Sequence, residues 1–252
     1  MAYIIVSIEG NIGSGKSTLL ENLRNYYKDN VKVIFLREPV DEWEKIKDTS
    51  GVTMLQKFYE NQEKYSFAFQ MMAYISRLKL LRQLIANITK EHNTIKEHDT
   101  IKEHDITKEH DITKEHDKNQ SKYIIITERS LHTDKYVFAK MLYDQGKIED
   151  ICYQIYLNWF SEFAKDYPIS YTIYVNTLPT KCHERIHQRS RTGEDTIPLE
   201  YLQECHHYHE VFLNDTPEIN NKKIMLDGNI NVYENAVVLN DWLEQINVFI
   251  NE

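Results

Sequence analysis

The chain is poor in cysteine, in long apolar runs and in positive charge, and each shortage excludes a class of protein. Its 252 residues include three cysteines, at positions 152, 182 and 205. Because their number is odd and their spacing is not that of a metal site, a reducing intracellular compartment is favoured. No apolar run approaches the roughly 20 residues that span a membrane, so no membrane partner is expected. The formal net charge of −9 argues against nucleic acid as a general partner.

The chain does contain enough apolar sequence for a sizeable core, since 41% of its residues are hydrophobic. Its length allows one α/β domain or two small ones. An apolar segment begins at Tyr3, which leaves no room for a signal or transit peptide. We therefore expect a cytoplasmic protein.

A glycine-rich segment follows that first apolar run and precedes a segment that is typical of a helix. It matches the phosphate-binding pattern G-x-x-x-x-G-K-[ST], in which backbone N–H groups surround a phosphate. Lys16 is expected to reach the β and γ phosphates, and Ser17 to hold Mg²⁺. A simple glycine turn would not explain the lysine. The predicted nucleotide site comprises Gly10, Asn11, Ile12, Gly13, Ser14, Gly15, Lys16, Ser17, Thr18 and, at the end of the last predicted strand, Asp227.

Acidic residues follow two further predicted strands, at residues 31–36 and 123–127. Open α/β sheets place their sites at the carboxyl ends of strands, where Glu38 and Glu128 stand. A carboxylate in the position of Glu128 suits Mg²⁺ or its water ligands. Position alone leaves Glu38 open between a functional group and an ordinary surface residue. Residues 171–175 and 223–226 complete a predicted sheet of about five strands.

A long helical region is predicted over residues 55–84, with a break near Asn61. Its aromatic and methionine residues are more typical of a core than of a ligand pocket. Gln70 and Arg77 are seven residues apart and therefore share one face of the helix.

A hexapeptide repeat occupies residues 88–118, with five copies of a pattern close to Ile-Thr-Lys-Glu-His-Asp. One isoleucine in six cannot form a core, so we expect a disordered or partly helical insertion. The histidine in each copy allows weak Zn²⁺ or Ni²⁺ binding as a second interpretation.

Three arginines, at positions 185, 189 and 191, stand close together in this acidic chain. Such a run is usually a solvated face. Near a phosphate loop it could equally neutralise a phosphoryl group during transfer, and position alone does not decide.

Taken together, these segments resemble the deoxynucleoside kinases, the family that contains deoxycytidine and deoxyguanosine kinase. The order and spacing of the short matches carry the resemblance, which covers nearly the whole chain except the repeat. The matching segments are 8–18, 38–40 with Trp43, Tyr59 with 66–70, 76–77, 128–130 with Asp134, 185–191 and 197–201.

The resemblance implies one α/β kinase domain over residues 1–252, with a parallel sheet flanked by helices, an arginine-rich lid and a homodimeric assembly. It implies transfer of the ATP γ-phosphate to the 5′-hydroxyl of a deoxynucleoside. Glu38 would be the base that accepts the hydroxyl proton, and Arg129 would lie beside the 5′-oxygen. Ser17 and Glu128 would serve Mg²⁺. The charge of the transferred group would be balanced by Lys16, Arg185, Arg189 and Arg191.

The resemblance also implies the nucleoside contacts. Tyr59 and Glu194 match the pair that binds the 3′-hydroxyl, and Gln70 matches the amide that reads the base. Trp43, Phe69 and Phe138 would flank the ring, and Arg77 and Asp134 match a pair that marks deoxycytidine- and purine-selective members. An ionised Asp only accepts hydrogen bonds, so it suits the amino group of cytosine or adenine, or N1–H of guanine, and opposes O4 of thymine.

Three alternatives remain at this stage. A nucleoside monophosphate kinase needs room for an acceptor phosphate, which Glu38 would repel. A nucleotide-dependent switch would usually carry D-x-x-G and N-K-x-D motifs, and the sequence has neither. An interaction scaffold built on the repeat would not need Glu38, Lys16 or Arg129.

Overall fold

Five strands form the centre of the computed structural model, which describes residues 3–104, 122–189, 194, 196–215 and 222–251. The strands are β1 (Tyr3–Glu9), β2 (Val33–Leu36), β3 (Tyr123–Glu128), β4 (Tyr171–Asn176) and β5 (Lys222–Asp227). They pair in the order β2-β3-β1-β4-β5, and every neighbouring pair is parallel. The predicted α/β fold with a parallel sheet of about five strands is confirmed.

Helices connect and cover the strands. They are α1 (Lys16–Tyr26), α2 (Val40–Trp43), α3 (Met54–Glu60), α4 (Gln62–His104), α5 (Leu131–Thr133), α6 (Lys140–Asp144), α7 (Asp150–Phe163), α8 (Pro179–Arg189), α9 (Leu199–Asp215) and α10 (Ala236–Asn251). A π-helical segment, Asp134–Ala139, joins α5 to α6, and a 3₁₀ turn, Ala164–Asp166, follows α7.

Apolar side chains pack on both faces of the sheet, as expected when parallel strands are covered by crossover helices. On one face, Leu20 of α1 and Ile246 of α10 belong to a buried cluster with Val6 of β1. On the other face, Ile88 of α4 is buried with Ile125 of β3.

The carboxyl ends of β1, β2 and β3 meet at one edge of the sheet. Ile8 of β1 lies opposite Glu128 of β3, and Leu36 of β2 lies opposite Thr127. The phosphate loop, Glu38 and Glu128 therefore share this edge, which is where open α/β sheets bind ligands.

The helical region breaks at Asn61, as predicted, and a capping box of Thr53 and Gln56 starts its first helix. The second helix, α4, continues to His104, whereas the helical region predicted from the sequence ends at Leu84. The sequence has no glycine or proline between Gly51 and Gly146, so nothing in its composition stops the helix. The first copies of the repeat thus extend α4, and the predictions for residues 105–118 lie outside the described residues.

Candidate active site

The phosphate loop joins β1 to α1 and packs closely against helix α8. Gly13 has φ 77°, and a Cβ built there would lie 2.6 Å from the carbonyl oxygen of Cys182. Only glycine accepts both that backbone angle and that approach. Gly10 and Gly15 also have positive φ, and Gly15 is the N-cap of α1. The helix start therefore presents its N–H groups to the loop.

Lys16 lies buried inside this loop. Its Nζ donates to the carbonyl oxygen of Asn11 at 2.6 Å and lies 3.5 Å from Ser14 Oγ. Burial, together with the charge of Arg129, lowers the pKa of Lys16 to about 7. An anion bound in the loop would favour the charged form, since an opposite charge stabilises the ammonium.

The two predicted Mg²⁺ residues are in contact. Ser17 Oγ donates to Glu128 Oε1 at 2.5 Å, and the backbone N–H of Glu38 points to Glu128 Oε2 at 3.4 Å. A hydroxyl and a carboxylate are hard oxygen ligands, and Mg²⁺ commonly takes one or two protein ligands besides phosphate and water. The residues present therefore fit a magnesium ion bound together with a nucleotide.

Glu38 lies between two arginines at the mouth of the loop. Arg129 Nη1 donates to both carboxylate oxygens, at 2.9 and 3.0 Å, and Arg77 Nη2 donates to Oε1 at 3.1 Å. Although burial alone raises the pKa of Glu38, the two guanidinium groups lower it to about 2. The carboxylate is thus ionised at neutral pH.

Arg129 occupies a special backbone position just after β3. Its φ is 62°, in the left-handed region. Its N–H donates to the carbonyl of Ile8 at 2.9 Å, and Nη2 donates to the carbonyl of Gly10 at 3.3 Å. The guanidinium also lies over the ring of Phe138, 5.1 Å from its centroid. The turn thus fixes the arginine between the phosphate loop and Glu38.

Arg77 reaches this centre from α4 and also binds Asp134. Its Nε donates to Asp134 Oδ2 at 3.0 Å, and its Nη1 donates to the carbonyl of Glu128 at 2.6 Å. Burial raises the pKa of Asp134 to about 6, against the opposing effect of Arg77. The contact between Arg77 and Glu38 was not anticipated, because a seven-residue spacing in a helix says nothing about a distant strand end.

A cavity of about 980 Å³ runs from the phosphate loop to the aromatic side chains of α2, α3 and α4. Phe69 stacks on Phe58 with ring centroids 4.4 Å apart, and Trp43 meets Phe69 edge to face at 5.6 Å. The amide of Gln70, which is 2% exposed, belongs to the lining. The predicted nucleoside residues that line the cavity are Glu38, Trp43, Tyr59, Phe69, Gln70, Arg129, Asp134, Phe138 and Glu194. Arg77 contacts Asp134, and Phe58 lines the cavity although the aromatic residues of this region are more typical of a core.

Helix α8 brings its arginines to the same cavity. Arg185 Nη1 donates to the carbonyls of Ser14 at 3.2 Å and of Gly228 at 2.8 Å. Arg189 forms an ion pair with Glu194. Arg191 lies outside the described residues.

Asp227, predicted to belong to the nucleotide site, is the last residue of β5. Its exposed carboxylate accepts from the backbone N–H and the side-chain amide of Asn229, at 3.1 and 2.8 Å. The residues that line the cavity next to the phosphate loop are instead 228–234, with Tyr233 OH 3.3 Å from Thr18 Oγ1. Asp227 thus shapes the turn before this segment, and the sequence carried no motif that marked residues 228–234.

Two broader expectations concern membranes and cysteines. Within the described part of the chain, no helix has the length and apolarity needed to cross a bilayer. The cysteines at positions 152, 182 and 205 are all free thiols.

Comparison with known proteins agrees with the resemblance. A profile described as deoxynucleoside kinase matches residues 6–251. The deoxycytidine kinase of Mus musculus is 31% identical over 224 residues, covering 82% of this chain and 74% of the relative. The mitochondrial deoxyguanosine kinase of Xenopus laevis is 29% identical over 222 residues, covering 82% and 72%. A "Probable deoxycytidine kinase" of fowlpox virus (strain NVSL) is 31% identical over 227 residues, covering 89% and 77%. The chain belongs to the deoxynucleoside kinase family.

Proposed function

We propose that this kinase transfers the γ-phosphoryl group of ATP to the 5′-hydroxyl of a deoxynucleoside, and that it prefers deoxycytidine and deoxypurines to thymidine. The observation that carries the proposal is the position of Glu38. Its carboxylate is ionised, paired with Arg129 and Arg77, and lies in one cavity with the phosphate loop. A nucleotide salvage role follows from this reaction.

Glu38 would accept the proton of the attacking hydroxyl. With a pKa of about 2 it is a weak base in the resting enzyme. The hydroxyl becomes strongly acidic only as its bond to phosphorus forms, so the proton moves late. The same low pKa keeps Glu38 able to accept a proton throughout the neutral range.

Positive groups would stabilise the transferred phosphoryl group. Lys16 would hold the β and γ phosphates, and Arg129 would lie beside the 5′-oxygen. Arg185 donates to the carbonyl of Ser14 in the loop. Arg189 and Arg191 would complete the charge balance when the arginine-rich lid that carries them closes over the phosphates. When bound, Mg²⁺ would supply charge neutralisation between the phosphates, with Ser17 and Glu128 holding it.

Asp134 would select the base. Its carboxylate accepts hydrogen bonds and, when ionised, donates none, so it favours an amino group or N1–H over the O4 of thymine. Arg77 orients it through two contacts, at 3.0 and 3.4 Å. Gln70 would bind the remaining polar edge of the base.

Tyr59 and Glu194 would bind the sugar. The phenol of Tyr59 is close enough to Glu194 that burial and this carboxylate both raise its pKa. The Tyr59 ring would crowd a 2′-hydroxyl, which would explain a preference for deoxyribose.

A homodimer is proposed from an exposed apolar stripe on α7. Ile151, Ile155 and Trp159 are spaced four residues apart and are 65%, 43% and 47% exposed. Ile75 of the adjacent helix α4 is 48% exposed. Such a stripe suits a partner surface, and light scattering of the purified chain measures the assembly. A cytoplasmic location is proposed from the three free thiols.

The test is ATP-dependent phosphorylation of the four deoxynucleosides and the matching ribonucleosides, with Glu38→Gln as the control. We expect turnover of deoxycytidine or a deoxypurine that the variant loses. A chain that binds ATP but phosphorylates only nucleoside monophosphates would contradict the proposal.

A further inference from the structure

Glu9, the last residue of β1, is a buried carboxylate that the reaction described above does not use. It is 0% exposed, and within the described residues no ion pair joins it to a lysine or arginine. Its oxygens accept from three hydroxyl groups: Ser7 Oγ, Ser130 Oγ at 2.8 Å and Thr133 Oγ1 at 2.5 Å. Burial of a carboxylate without a cation is unfavourable unless hydrogen bonds compensate for lost water.

Two of these hydroxyls belong to the turn that carries Arg129. Ser130 follows Arg129 directly and is the N-cap of α5, while Thr133 is the third residue of that helix. The neighbours of Glu9 hold the same turn, because the carbonyls of Ile8 and Gly10 accept from the Arg129 backbone and guanidinium. The consecutive residues Ile8, Glu9 and Gly10, which lead into the phosphate loop, therefore all bind the turn that carries Arg129.

The polarity of these bonds favours a carboxylate at position 9, although Ser130 Oγ and Thr133 Oγ1 also lie 3.0 Å from each other. Thr133 N donates to Ser130 Oγ at 3.2 Å, and Ser130 N lies 3.4 Å from Thr133 Oγ1. Each hydroxyl has a single proton, so its lone pairs are available to the backbone only if the proton points elsewhere. The two oxygens of Glu9 offer each hydroxyl its own acceptor, Oε1 for Ser130 and Oε2 for Thr133. An amide would present a donor to one hydroxyl and disturb the capping box.

We propose that Glu9 is a positioning residue for phosphoryl transfer, which keeps Arg129 in register with the phosphate loop. Arg129 has φ 62°, a strained backbone angle for a residue with a side chain, and such an angle persists only where surrounding contacts fix it. Through this turn Glu9 sets the distance between the donor phosphates and the guanidinium that binds Glu38. The inference rests on the kinase activity and not on which base is preferred.

The test compares Glu9→Gln with Ser7→Ala, using the deoxynucleoside that the wild-type enzyme phosphorylates fastest. Ser7 also donates to Glu9 but lies on β1, and among the described residues its hydroxyl forms no hydrogen bond with the Arg129 turn, so its loss is the matched control. We expect Glu9→Gln to lower kcat about 10- to 100-fold with both KM values within about threefold, since small misplacements of a reacting group cost this much. Ser7→Ala should keep kcat within about twofold.

A double-mutant cycle separates positioning from folding. In an Arg129→Lys background, Glu9→Gln should cost little further kcat, because the guanidinium that it positions is already absent. Full multiplication of the two losses, or wild-type kcat in Glu9→Gln, would overturn the proposal. If Glu9→Gln does not fold, Ser130→Ala replaces it: a loss of kcat at unchanged KM supports the proposal, and an unchanged kcat overturns it.

Discussion

Arg77 has two roles at the scale of single residues, because one guanidinium binds both Asp134 and Glu38. It therefore links the group proposed to read the base with the group proposed to accept the proton. Removal of Arg77 should affect rate and specificity together, so specificity is best measured as a ratio between two substrates.

The first prediction concerns that ratio. Arg77→Met with Asp134→Ala should raise kcat/KM for thymidine relative to deoxycytidine by roughly 100-fold or more, because a mismatch with a buried polar site is removed. Asp134→Asn is the matched variant, since it keeps the shape and adds a donor that O4 of thymine can use. A ratio unchanged in both variants would show that Asp134 does not read the base.

The second prediction is a pH dependence. Burial raises the pKa of Asp134 to about 6, so the carboxylate gains a proton as pH falls through that value. The kcat/KM for deoxycytidine should bend downward below about pH 6, while Glu38, with a pKa of about 2, stays ionised. The bend should be absent in Asp134→Asn, and a bend that persists there belongs to another group.

At the scale of elements, the phosphate loop depends on its contact with helix α8. Gly13→Ala should weaken ATP binding and lower kcat, because the new Cβ would meet the Cys182 carbonyl at 2.6 Å and displace the helix that carries Arg185. Gly146→Ala is the control: its φ of 69° is similar, and nothing lies within 4 Å. The positive φ should cost each variant about 1 kcal/mol of stability, and the clash in Gly13→Ala adds to that loss. Equal kinetic losses in the two variants would contradict the role of the contact.

Helix α4 gives the second element-scale prediction. Ile88 belongs to the repeat by sequence but is 2% exposed and lies in the same buried cluster as Ile125 of β3. This part of α4 thus packs against the strand that follows the repeat. Deletion of residues 91–118 should therefore leave kcat unchanged, whereas Ile88→Ala should lower the free energy of unfolding by about 2–5 kcal/mol. Chemical denaturation and turnover measure both, and loss of turnover in the folded deletion variant would assign the repeat a catalytic role.

These elements show what the sequence could predict. The strands, the phosphate loop and the acidic strand ends carry local signals, and topology brought them to one edge. The end of α4 was misplaced because the repeat lacks an apolar stripe yet contains no residue that stops a helix. Contacts such as Arg77 with Glu38 depend on how a helix crosses a sheet, which no local pattern encodes.

At the scale of the whole molecule, one cavity joins the phosphate loop to an aromatic pocket that ends at Asp134. Its volume of about 980 Å³ is lined by the phosphate loop, by the aromatic side chains and by both Glu38 and Arg129. We propose that this arrangement phosphorylates the 5′-hydroxyl of a deoxynucleoside whose base offers Asp134 a hydrogen-bond donor.

The most direct measurement is a competition in which the enzyme and ATP meet equal concentrations of deoxycytidine, deoxyadenosine, deoxyguanosine, thymidine and cytidine, with products separated over time. We expect 5′-monophosphates of deoxycytidine or a deoxypurine first, with thymidine and cytidine far behind. Thymidine monophosphate as the leading product would contradict it.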